Sequence, residues 1–134
     1  MSVLEQFEKR NYGKPKGIYF TLSKNGVSFS KETLRILGAP EFVDTFLSPQ
    51  KRQFAIQACD YHDGALPFVT GKAAKATNFV RWKNQMLMDD LLELMHVEYD
   101  ETKNVRCYGE YFRDENVVIY DLTAPEVKDA RTNS

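Results

Sequence analysis

Cys59, Asp60, His62 and Asp63 crowd into one short stretch, the densest group of potential metal ligands and nucleophiles in the chain. A structural zinc site takes about four ligands, usually as two separated pairs. No second pair accompanies this one. Cys107 stands far away, and His96, the other histidine, sits at a helix end followed by acids. A positive charge there suits the negative end of the helix dipole. The ligand count therefore predicts no metal centre. For Cys59 and His62 to act as nucleophile and base, a third group would have to orient the histidine beside a pocket. Adjacency in sequence does not build that arrangement, so both cysteines read as small buried residues of a reducing cytoplasm.

Other candidates for chemistry fail on spacing. Six residues separate Gly64 from Gly71 in place of the four between the glycines of a phosphate loop, and after Lys72 Ala73 stands where the magnesium-binding hydroxyl belongs. The paired acids Asp89-Asp90 and Asp114-Glu115 fall on a helix surface and in a turn, with no partner acid or base. The expectation is a protein without catalytic residues or cofactor.

Charge is more informative. The net charge of −1 conceals +4 over residues 1–35, −2 over 36–71, +4 over 72–83 and −7 over 84–134. Lys72, Lys75, Arg81 and Lys83 form an acid-free run interleaved with Phe79 and Trp82, the composition of a surface that grips phosphates and offers aromatics to sugar or base. Periodicity favours Phe79 and Trp82 as core residues of the second half and leaves the charges open. Hydrophobic residues at 43% and charged residues at 28% are ordinary globular values. No apolar run approaches the roughly 20 residues of a membrane helix. Met1 to Glu5 shows no basic region leading into an apolar stretch, so the expectation is a cytoplasmic location.

The elements that would position these residues follow from periodicity and turn chemistry. A short helix over Ser2–Asn11 and a Gly/Pro/Lys linker over Tyr12–Gly17 precede Ile18–Leu22, which alternates at strand period. Lys24-Asn25-Gly26 predicts a hairpin turn into Val27–Phe29. Ser30 and Gly38 bracket a short helix as N-cap and C′ residue. Phe42–Leu47 and Arg52–Ala58 form the next hairpin, across Ser48–Lys51. Asp60–Lys75, with Gly64, Pro67 and Gly71, reads as a loop between halves. Phe79–Trp82 then predicts a strand, Asn84–Met95 a helix on the Leu87, Leu91, Leu94 and Met95 spacing, and Val105–Tyr111 and Val117–Leu122 a hairpin across Arg113–Asn116. Thr123–Ser134 predicts a frayed tail. Both halves, about 17–58 and 79–122, read strand, helix, strand, turn, strand. The expected fold is one α+β domain: two pseudo-duplicated strand–helix–hairpin units closing as a compact β-barrel with two helices.

Residues 26–58 resemble the swapped-hairpin DNA-binding domain of AbrB- and MazE-like regulators and antitoxins. The matching positions are Gly26, Val27, Phe29, Lys31, Glu32, Arg35, Leu37 and Gly38, followed by strands containing Val43 and Ile56. Ser30 stands where that family has proline, Thr33 where it has a helix leucine, and Leu34 where it has one of two arginines. The resemblance implies a swapped-hairpin-like barrel and a transcriptional regulator that reads double-stranded DNA with a basic strand and helix face. Candidate DNA contacts are Lys24, Lys31 and Arg35, joined by Lys72, Lys75, Arg81 and Lys83. Leu37–Gln57 is also similar to small proteins of phages and mobile elements. The alternative function is accordingly a non-enzymatic interaction module whose acidic half engages a protein partner.

Overall fold

A computed structural model of the chain describes Val3, residues 17–77 and residues 79–130. The helix expected over Ser2–Asn11 and nearly all of the linker after it lie outside the described residues. The rest is a mixed α and β fold, mostly antiparallel strands curled into a half-barrel with three helices.

The first hairpin joins β1 (Tyr19–Ser23) to β2 (Gly26–Phe29). Ser23 pairs with Gly26, leaving Lys24 and Asn25 as a two-residue loop. Gly26 has φ +122°, and a Cβ there would lie 2.4 Å from the carbonyl oxygen of Trp82. Only glycine allows the neighbouring strand β6 (Arg81–Trp82) to come this close. Ser30 caps α1 (Lys31–Ile36), its side chain accepting from the Thr33 N–H, and Gly38 follows at φ +84°.

Strands β3 (Phe42–Ser48) and β4 (Gln53–Cys59) pair in register over their whole length. The second helix in the hairpin pattern, α3 (Gln85–Met95), is capped by Asn84 and ends on His96 in the left-handed conformation. Its buried stripe is Met88, Leu91, Leu92 and Met95, so the helix is rotated from the expected Leu87/Leu94 side, whose leucines flank the core half-exposed. The final hairpin joins β7 (Lys103–Phe112) to β8 (Val117–Asp121).

Two expectations are corrected. Residues 60–75, expected as a loop between halves, include β5 (Leu66–Pro67), paired to β3, and the start of α2 (Gly71–Thr77). Pro67 is accommodated because β5 is the sheet's edge, where a missing N–H costs nothing. The alanine-rich run between Lys72 and Ala76 has high helix propensity, which makes the third helix that two-helix counting missed. The tail is not all frayed either: β9 (Glu126–Asp129) pairs with Lys103–Arg106 of β7. Strand β8 covers the same edge of β7 only from Gly109 onward, and β9 satisfies the backbone groups left over.

The strand order is β5-β3-β4-β8-β7-β1-β2-β6, with β9 beside β7. The core centres on Phe20, Phe54 and Tyr120, whose rings meet at 5.0–6.0 Å. Burying tyrosine requires a partner for its hydroxyl. The Tyr120 hydroxyl donates to Thr33 Oγ1 at 3.4 Å, and Thr33 Oγ1 lies 2.8 Å from Ser30 Oγ. Ser30 Oγ donates to the Gly17 carbonyl and accepts from the Tyr19 N–H. Ser30 and Thr33, two of the three positions that depart from the regulator motif, thus form one polar network that joins α1 to the core. No described helix is long and apolar enough to cross a membrane.

Candidate nucleic-acid interface

Strand alternation decides which side chains reach the outer face. Phe20, Leu22, Val27, Val105 and Cys107 point inward, so Tyr19, Thr21, Ser28, Arg106 and Tyr108 point outward. The register aligns Arg81 on β6, Ser28 on β2, Thr21 on β1 and Arg106 on β7 in one row across the strands. Two arginines therefore stand at the ends of a floor made of two small hydroxyl residues.

Each arginine rests on an aromatic ring. The Arg106 guanidinium lies 4.0 Å from the Tyr19 ring centroid, and Tyr19 meets Tyr108 at 5.5 Å. The Arg81 guanidinium lies 4.8 Å from the Phe79 ring centroid. Stacked this way the planar guanidiniums keep their N–H edges available to a ligand. Glu126, the residue paired with Arg106 on β9, makes its ion pair with Lys128.

Two grooves share the Thr21/Ser28 floor. One is lined by Tyr19, Lys31, Glu32, Phe79 and Arg106. The other is lined by Lys24, Asn25, Arg81, Glu101 and Asn104. The fold thus brings together Lys24, Lys31 and Arg81 of the expected contacts and adds Arg106. It does not bring in Arg35, whose guanidinium makes two contacts with the Glu32 carboxylate and is held there in its charged form. Lys75 pairs with Glu41 at 3.4 Å near the β5 edge. Lys72 is exposed on α2, and Lys83 is exposed just past β6; neither lines the grooves.

Charge counting missed Arg106 because it lies in the acidic last segment. Its signal was the Val105/Cys107 alternation, which already turns it outward. Phe79 departs from the expectation of a core residue: it is 46% exposed, while Trp82 is buried and donates its indole N–H to the Pro67 carbonyl at 2.7 Å.

Cys59 and His62 are not arranged as nucleophile and base. The His62 Nε2 lies 2.6 Å from Asp44 Oδ1, and Nδ1 lies 3.0 Å from the Asp63 carbonyl. These two acceptors hold the imidazole toward its protonated form, the Asp63 carbonyl contributing most. The Cys59 thiol is pushed up, by burial first and then by the Asp44 carboxylate, so the thiolate is disfavoured. Cys59 is half-buried rather than buried; Cys107 is fully buried beside Met95 and pushed up to about 12 by desolvation.

No protein-family model, curated protein or solved structure matches this chain.

Proposed function

We propose that the chain is a DNA-binding regulator, and that the outer face of β6-β2-β1-β7 carries the contact. The observation that supports this most is the row Arg81–Ser28–Thr21–Arg106, with each arginine on an aromatic ring. Three strand spacings separate the two arginine backbones by about 14 Å, close to the roughly 12 Å width of a major groove. The guanidiniums then meet phosphates on its two edges, with Lys24 and Lys31 as further cations. Thr21 and Ser28 are small enough to let a backbone approach.

The same proposal extends to the fold. We read the chain as two strand–helix–hairpin units exchanged in the swapped-hairpin manner. In support, β2 pairs with β6 and β4 with β8, while β1 lies on β7 and β5 on β3. Swapping the halves reproduces every one of these cross-pairings. The β1–β2 hairpin has no such counterpart, since α2 intervenes between β5 and β6.

A second reading, a protein-interaction module, draws support from the other quarter of the sheet. There Phe46 is 51% and Phe112 41% exposed, on an outer surface that also carries Ala55 and Ile119. Titrating labelled duplex with the full chain at several salt concentrations separates the two. DNA binding whose affinity falls steeply with salt supports the first reading. Absence of binding at low salt rejects it and leaves the second.

A further inference from the structure

We propose that Asp44, Cys59 and His62 form a solvent-accessible site for a zinc-class divalent ion, bound by one carboxylate oxygen, one thiolate and one imidazole nitrogen. The sequence count failed to reveal it because the third ligand comes from another strand, 18 residues before His62.

The fold assembles the three groups from two directions. Asp44 on β3 pairs with Gln57 on β4, and Cys59 lies two residues further along the same strand, so both side chains leave the same outer face. His62 is returned to that face by a turn in which the Ala65 N–H donates to the His62 carbonyl, with Gly64 at φ +100°. Tyr61 packs its ring against Phe42 at 5.2 Å, one step along the same face, and pins the start of this turn.

The ligand atoms lie within 4.8 Å of one another. Bond lengths of about 2.0–2.3 Å in a tetrahedral shell place ligand atoms roughly 3.3–3.7 Å apart. Small side-chain rotations close the difference: His62 Nε2 and Asp44 Oδ1 separate slightly while Cys59 moves in. The donor set is chemically selective. Sulfur and imidazole nitrogen favour zinc, cobalt and nickel over magnesium and calcium, which require oxygen shells.

An outer contact already orients the histidine. Its Nδ1 faces the Asp63 carbonyl at 3.0 Å, the arrangement that directs Nε2 of a ligating imidazole to the metal. On binding, the ion takes the place of the thiol proton and of the proton between Nε2 and Asp44. The His62 side chain is 49% and that of Asp44 30% exposed, so water completes the shell. Three protein ligands with an open position distinguish this site from a closed four-ligand structural centre.

The test uses the full chain, stripped with chelator and titrated with Co²⁺ as a spectroscopic probe, then with Zn²⁺. The expected result is one equivalent of Co²⁺ with a thiolate-to-cobalt charge-transfer band, bleached by Zn²⁺. C59S should abolish that band while circular dichroism stays native. H62A should retain the fold and weaken cobalt binding by more than about tenfold, the lower end of what even outer contacts contribute. A cobalt spectrum without charge transfer overturns the site, and so does one that survives C59S.

Discussion

The sheet has two quarters built on different terms. In the β3-β4-β8 quarter, seven residues of β3 face seven of β4, and β8 continues the ladder for five more pairs. In the β1-β2-β6 quarter the strands run to five, four and two residues. A long ladder needs little beyond its own hydrogen bonds and the Val43, Phe54 and Ile56 side chains beneath it. The short one depends on particular devices: a glycine that admits β6, and a serine that anchors the helix entry. The short strands also carry three of the four residues of the arginine row, Arg81, Ser28 and Thr21, and the fourth, Arg106, stands on the ten-residue β7 beside them, so most of the candidate site sits where the ladder is thinnest.

Gly26→Ala should break this contrast most strongly. Forcing a side chain to positive φ costs about 1–3 kcal/mol, and the clash with the Trp82 carbonyl adds to it. Urea denaturation should show the loss. Hydrogen exchange should show amide protection falling first at Val27, Ser28 and Trp82 while β3 and β4 keep theirs. Equal loss in both quarters would contradict the division.

Ser30→Ala comes next. It removes the cap of α1 and the links to Gly17 and Tyr19, and lost N-caps cost about 0.5–2 kcal/mol. On the long ladder, Phe46→Ser should shift the urea midpoint by no more than the equivalent of about 0.5 kcal/mol, as solvent-facing changes usually do.

The smallest effect is a pH dependence at the end of β8. The Thr123 hydroxyl and N–H both donate to Asp121, holding its carboxyl below the usual aspartate range. A depressed folded pKa contributes stability above the unfolded value, and that contribution is lost as pH falls through the folded value. Thr123→Ala removes the hydroxyl donor and keeps the N–H, so it should lower stability slightly at neutral pH, converge with wild type at acid pH, and thereby flatten the acid limb of a stability–pH profile.

Local chemistry made much of the fold legible. Asn25-Gly26 marks a hairpin, Ser30 and Gly38 bracket α1, and apolar spacing places α3, because each signal lies within a few residues of what it controls. Strand β9 was illegible for the opposite reason: it exists because β7 offers an uncovered edge, a property of distant residues. Helix α2 was hidden by the neighbouring Pro67 and Gly71, whose loop signals outweighed the alanine run. The site divides the same way. Lys24, Lys31 and Arg81 were visible as charges, but their grouping with Arg106 depends on β1 pairing with β7. Asp44 joins Cys59 and His62 only through the β3–β4 register.

The most direct test of the arginine row compares two double variants by fluorescence titration of labelled duplex across salt concentrations. Arg81→Ala with Arg106→Ala removes both ends of the row; Arg35→Ala with Lys75→Ala removes the same charge from residues engaged by Glu32 and Glu41. Each lost phosphate contact lowers the salt slope by about one. The first variant should weaken binding and reduce the slope by about two, and the second should leave both near wild type. Equal losses from the two variants would reduce the interaction to net charge, and a loss confined to the second would place the contact on another face.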